Sequence, residues 1–204
     1  RNDERDLRLI PDAYYQGQKG FVNKREYRKL YKIRWKNKIE KVVFRGAYTG
    51  EKPLEKNMRA QLCALNNPLV NARLTGVNNP WEEEEICHLR AEYMSKYEMG
   101  RYKYQIDIDG NTNSWDAFFW KLMSGSLTFK LQSEWHQWYY SQLKPSVHFV
   151  EITDFDDLLE KVVFFKEHDA LAREIASNAQ AFTKRFKFKD QFAVLLEALD
   201  VSGN

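Results

Sequence analysis

The chain has 204 residues, of which 43% are hydrophobic, 15% aromatic and 30% charged; this excludes a disordered chain and allows one large domain or one domain plus part of a second. No apolar run approaches the ~20 residues that span a bilayer, and the opening Arg1 to Asp6 is unlike a signal peptide, which points to a cytoplasmic protein with no transmembrane segment, unless a targeting segment precedes Arg1. The formal net charge of +3 is modest, no Cys/His group has zinc spacing, and Cys63 and Cys87 read as buried free thiols.

In chain order, 24–39 places Tyr27, Leu30, Tyr31 and Trp35 at helical spacing, and Lys41 to Gly46 is a short β-branched strand closed by glycine. The segment 24–41 also holds nine basic residues, which read either as a solvated helix face or as a nucleic-acid-binding surface with Tyr27, Tyr31 and Trp35 stacking on bases. Residues 53–66 form a helix opened by Pro53, Leu69-Val70 a strand, and 80–94 a helix begun by proline and glutamates. Tyr102 to Gly110 alternates like a strand and ends at an Asp-Gly turn.

Ser114 caps a helix to about Met123, Leu127–Lys130 is a strand, Ser133 caps a helix over 134–143, and 147–152 is a strand. Three amphipathic helices follow, at 155–166, 168–184 and 189–200. Strands alternating with helices predict an α/β fold with a doubly wound parallel sheet, whose ligands sit beyond the carboxyl ends of the strands.

The segments at those ends carry the candidate site. Arg45, Gly46, Ala47, Thr49 and Gly50 combine close backbone approach, amide donors and a guanidinium, which suits a diphosphate; a plain turn is the alternative. Asp109, Gly110, Asn111, Asn113 and Ser114 build a second anion-binding turn before a helix, or only a turn and a cap. Asp107-x-Asp109 matches a short metal-binding pattern, although strand alternation alone puts both carboxylates on one face. Glu134 is suited to a ribose diol, or is only a carboxylate in the first turn of a helix. His136 and His148 have no nucleophilic partner, and Trp135, Trp138, Tyr139 and Tyr140 read as packing residues.

Taken in order, Phe44-Arg45-Gly46-Ala47-x-Thr49-Gly50, Asn57-x-Arg59, Tyr102 to Gly110, Ser114, Ser124-Gly125-Ser126-Leu127, Glu134-Trp135, Leu143-Lys144-Pro145-x-Val147-His148, Asp157-Leu158, Ile175-Ala176 and Asn178 resemble the lipopolysaccharide-modifying and capsule-associated glycosyltransferases related to the Rumi protein O-glucosyltransferases. The resemblance implies a two-domain B-type glycosyltransferase fold. It implies inverting transfer of glucose or xylose from a UDP-sugar donor to a glycan or glycoconjugate hydroxyl, with no metal or other cofactor and no nucleic-acid partner. Residues 1–40 then correspond to a remnant of, or linker to, the acceptor-side domain, 41–185 to the Rossmann-like donor domain, and 186–204 to a helix packing back.

By the same resemblance Arg45, Gly46, Ala47, Thr49, Arg59, Asp109, Gly110, Asn111, Asn113, Ser114, Gly125, Ser126 and Glu134 contact the donor. Tyr48 and the region of Asp116 depart from the family by lacking arginines, so Arg45, Arg59 or Lys121 must supply the charge for the diphosphate. The family's catalytic aspartate falls upstream of the stretch that Arg1 to Tyr15 matches; within the chain the candidates are Asp3, Asp6 and Asp12, and Asp12 alternatively frames the acceptor.

Overall fold

A computed structural model describes residues 9–21 and 24–200. Five parallel strands, β1 (Ile39–Tyr48), β2 (Val70–Val77), β3 (Tyr102–Asp107), β4 (Leu127–Leu131) and β5 (Val150–Ile152), form one sheet in the order β2-β1-β3-β4-β5. Parallel neighbours need crossovers, and helices supply most of them. In chain order the helices are α1 (Ala13–Gln18), α2 (Lys24–Tyr31), α3 (Met58–Ala64), α4 (Glu83–Ile86), α5 (Lys96–Gly100), α6 (Ala117–Met123), α7 (Phe155–Glu167), α8 (Asp169–Arg185) and α9 (Phe188–Asp200).

Period-two alternation sorts the strand side chains onto two covered faces. Val42, Phe44, Tyr104, Ile106, Leu127 and Phe129 enter the main apolar core, with α3, α7 and the start of α8. The other face is partly polar: Lys103, Gln105, Asp107, Thr128 and Lys130 are all buried there. Polar groups withdrawn from water need partners: Lys103 pairs with Glu40 and Asp169, Gln105 Nε2 donates to Met99 O, and Asp107 and Lys130 belong to the site described below. A second cluster joins Tyr15, Phe21 and Leu30 to Phe118, Phe119, Trp138, Tyr139 and Phe182, so α1 and α2 pack on the same body as the sheet. α9 docks there too, with Trp138 Nε1 donating to Gln191 Oε1 at 3.0 Å.

Several expected elements differ. The 24–39 helix stops at Tyr31 and is followed by a 3-10 turn at Trp35–Asn37, and the 80–94 helix is a chain of short turns around α4. The strand expected at Leu69-Val70 runs eight residues, while that expected over 147–152 pairs only from Val150. The α-helix expected over 134–143 is absent: only a 3-10 turn forms, at Tyr140–Gln142, after the buried run Gln137, Trp138 and Tyr139. Ser133 Oγ accepts from Trp135 N at 3.0 Å, a local turn in place of a cap. Cys63 is buried and free, with burial pushing its thiol up to about 12, whereas Cys87 is free and exposed.

Candidate functional site at the seam between the first and third strands

β1 is longer than a strand ending at Gly46, and that extension opens the site. It pairs with β2 as far as Tyr48↔Val77, with a register shift between Gly46 and Ala47, but with β3 only to Val43↔Gln105. Beyond Val43 the two central strands diverge, at the point where the strand order reverses; ligands of doubly wound sheets sit in that position. A cleft of about 340 Å³ occupies the gap, lined among others by Arg45, Gly46, Thr49, Arg59, Gly110, Asn111, Asn113, Ser114, Trp115 and Lys121. A second, of about 290 Å³, shares Thr49, Arg59 and Gly110 and adds Asp109, Ser133, Glu134 and Trp135.

Arg59 holds the two candidate turns together. Asn57 caps α3 by accepting from Ala60 N at 3.0 Å and donates to Thr49 O and Glu51 O at 3.0 and 2.9 Å, which fixes the start of the helix beneath the first turn. Two residues on, Arg59 donates to Ala47 O at 3.1 Å and Thr49 Oγ1 at 2.7 Å, and across the cleft to Ile108 O at 2.9 Å and Asp109 O at 3.2 Å. The fit leaves no room for a side chain at Gly110, whose added Cβ would lie 2.3 Å from Thr49 Oγ1 and 3.0 Å from an Arg59 nitrogen. Gly50, at φ +104°, donates its amide to Asn111 Oδ1 at 2.8 Å.

Below this brace lies a buried charge network. Asp107 pairs with Lys121 at 2.7 Å and with Lys130 at 3.0 Å, and accepts from Ser114 Oγ at 2.8 Å. Lys130 also pairs with Asp109 at 2.7 Å, and Ser114 N donates to Asp109 Oδ1 at 3.0 Å. Burial alone would raise the Asp107 pKa, but the two ammonium groups and the hydroxyl hold it well below the usual carboxylate range. The Asp-x-Asp pair is therefore engaged by lysines, and among the described residues no three His, Cys, Asp or Glu side chains gather as a metal site would require.

Ser114 is not the helix cap: Asp116 precedes α6, and the Ser114 hydroxyl is turned inward to Asp107. Arg45 lines the cleft while donating to Phe44 O at 2.7 Å and to Asn71 O and Oδ1 at 2.9 Å each. Asn111 and Asn113 use their Oδ1 atoms internally, and among the described residues their Nδ2 groups have no partner. Ala47 faces the brace through its carbonyl.

Three candidates are not brought into the clefts. Gly125 and Ser126 precede β4 at the amino edge of the sheet, where Gly125 adjoins Gln180 and Ser126 Oγ accepts from Lys38 Nζ at 2.9 Å. Asp12 caps α1, accepting from Tyr15 N at 2.7 Å, and lines neither cleft. Asp3 and Asp6 lie outside the described residues. Of the stacking residues imagined for nucleic acid, Trp35 donates its indole N–H to Asp169 at 3.0 Å and Tyr31 its hydroxyl to Gln180 O at 2.8 Å.

Sequence reasoning missed Lys130 and Gln137. Lys130 stands directly opposite Asp107 in the β3–β4 register, so a lysine and an aspartate at matching places in two apolar strands was the available signal. Gln137 Nε2 donates to Asn113 Oδ1 and Trp115 O at 2.7 and 2.9 Å, a contact that nothing in its sequence context announces.

Solved structures share this architecture. The Anabaena protein HepE, in complex with UDP and glucose, superposes with a TM-score of 0.56 at 14% identity, over 88% of this chain and 53% of that one. TarM superposes at 0.53 with 12% identity, over 78% and 35%. The fold is that of a B-type glycosyltransferase, here a Rossmann-like parallel sheet flanked by helices. Among curated proteins, zebrafish (Danio rerio) protein O-glucosyltransferase 2 is 31% identical over 152 residues, 74% of this chain and 29% of its own length. Human protein O-glucosyltransferase 3 is 32% identical over 151 residues, 74% and 29%, and human protein O-glucosyltransferase 1 is 30% identical over 168 residues, 81% and 42%. The chain thus spans less than a third of the first two relatives. Residues 10–194 match the family described as glycosyl transferase family 90, and to that family this chain belongs.

Proposed function

We propose that the chain carries the donor-binding half of a glycosyltransferase that moves glucose from UDP-glucose, or xylose from UDP-xylose, to a hydroxyl of a glycan or glycoconjugate. The observation that carries the reading is the charge of the β1–β3 cleft. Among the described residues Arg45, Arg59 and Lys121 line it, and the carboxylates beside it, Asp107 and Asp109, are also paired by Lys130, so positive charge is in excess where a diphosphate would lie. Unpartnered amide groups on Asn111 and Asn113 and the Thr49 hydroxyl add donors. The names of the curated relatives and the UDP and glucose held by HepE point to the same donor.

In this reading the acceptor oxygen attacks the anomeric carbon, its proton passes to a carboxylate on the acceptor side, and the configuration inverts. The departing UDP oxygen is stabilised by the fixed cations of the cleft, whose orientation costs nothing at the moment of bond breaking. Those cations supply the charge that a divalent metal supplies elsewhere, which supports metal-independent transfer. Glu134 lines the adjoining cleft, which supports a role for its carboxylate in accepting from the ribose diol. Polysaccharide, lipopolysaccharide or capsule assembly is the role implied by the sequence resemblance.

The donor is tested by thermal unfolding with UDP, UDP-glucose, UDP-xylose and GDP-mannose, each in EDTA and again with manganese. A ligand at about a hundred times its Kd adds ~2.7 kcal/mol. Stabilisation by UDP and one UDP-sugar in EDTA is expected; a response confined to GDP-mannose would overturn the donor, and one confined to manganese the metal independence.

A further inference from the structure

Basic residues far apart in sequence meet on one flank of the molecule, outside the donor clefts. α2 and the turn that follows it hold Arg28, Lys29 and Lys32 outward along a shallow basic depression of about 330 Å³. Lys184, near the end of α8, places its Nζ 4.9 Å from the centre of the Tyr31 ring, which joins the α8 terminus to α2. Beside it Arg185 and, in the turn before β5, Lys144 both act on His148, whose pKa is lowered by burial first and by these two cations next. All six cations are exposed, and none forms an ion pair among the described residues.

A chain with a net charge of only +3 has gathered six cations here, with Glu26 the acidic residue of α2, at a cost in self-repulsion. The form of the face says what would offset that cost. Single-stranded nucleic acid needs open aromatic faces between the cations, but the Tyr31 ring lies beneath Lys184, and Trp35 is bonded to Asp169 with Lys103 over its ring. Small anions need a walled site, and these cations are spread over three separate elements. A broad field of one sign matches an extended, fluid array of negative charge. We propose that the flank formed by α2, the end of α8 and the 144–148 turn docks the protein on an anionic lipid surface.

The test is co-sedimentation of the full chain with phosphatidylcholine vesicles and with vesicles containing about 30% phosphatidylserine. Binding is expected only to the anionic vesicles and is expected to fade as salt rises from about 0.05 to 0.5 M. The combined Lys29→Glu, Lys32→Glu and Lys184→Glu variant should bind about a hundredfold more weakly, near fivefold for each cation lost. Its unfolding midpoint and UDP response serve as the control for folding, and Lys29→Gln, Lys32→Gln and Lys184→Gln is the milder variant if the reversal misfolds. Equal partition onto both vesicle types, undiminished binding by the folded variant, or binding to a short oligonucleotide without binding to vesicles would each overturn the proposal. A failed UDP response with intact vesicle binding would sink the donor reading alone.

Discussion

Arg59, rather than Arg45, is the side chain on which the site is assembled. Arg45 spends its guanidinium on Phe44 and Asn71, whereas Arg59 binds four acceptors in two turns that are sixty residues apart, Thr49 to Asp109. Lysine has neither the planar fork nor enough donors for that task. Arg59→Lys is expected to weaken UDP binding at least about tenfold, checked by calorimetric titration; unchanged affinity would remove Arg59 from the donor site. Gly110→Ala places a methyl group against Thr49 and Arg59, and an overpacked contact of this kind costs about 1–3 kcal/mol. Urea unfolding measures it, and a neutral result would mean that the two turns are not held as described. Lys121→Met strips a buried carboxylate of one partner and should cost about 3–5 kcal/mol. The Asp107 pKa is depressed in the folded state, so the network's contribution is present above the ordinary value of 3.8 and is lost as pH falls below it. The acid limb of the stability curve should therefore be shallower in Lys121→Met.

At the scale of elements, Lys38 ties three of them at the amino edge of the sheet. It precedes β1 and donates to Gly100 O at the end of α5, to Ser124 O at 3.1 Å and to Ser126 Oγ at 2.9 Å before β4. Burial lowers its pKa from 10.5 to about 7. Between those values the unfolded chain binds more protons than the folded one, so this lysine makes stability rise with pH from about 7 to 10.5 and leaves it flat below 7. Urea unfolding at pH 6, 8 and 9.5 should show the rise, and Lys38→Met should lose it; a slope surviving in the variant would assign it to another group. The elements legible in the sequence were those with a regular pattern: the alternation of Tyr102 to Asp107, the helical periods of α7 and α8, and the strand–helix succession that implied a parallel sheet. What was not legible depended on tertiary packing. Residues 134–143 are bracketed by a cap-like Ser133 and a terminating Pro145, but Trp138 reaches Gln191 and Gln137 reaches Asn113 along an irregular path. Ser114 looked like a cap because nothing local reveals that Asp107 needs its hydroxyl.

For the whole molecule, function follows from a topological fact. The strand order β2-β1-β3-β4-β5 makes β1 and β3 lead away in opposite directions, and the cleft forms where their pairing stops. Sequence reasoning found both turns of that cleft, Arg45–Thr49 and Asp109–Ser114, because glycines and small polar residues mark strand ends. It could not distinguish cations that face a ligand from cations that hold carboxylates, since that depends on register, as Asp107↔Lys130 illustrates. It also assigned Gly125 and Ser126 to the donor, although they sit at the other end of β4 with Lys38.

The central claim is that the cations at the β1–β3 seam bind a nucleoside diphosphate without a metal. Isothermal titration with UDP and with uridine, both in EDTA, tests it most directly. Charge-assisted contacts to the diphosphate should be worth about 1.5–3 kcal/mol each, so UDP is predicted to bind at least about a hundredfold more tightly than uridine, and added manganese should change neither value. Equal affinities for the two ligands, or UDP binding that appears only with manganese, would contradict the account.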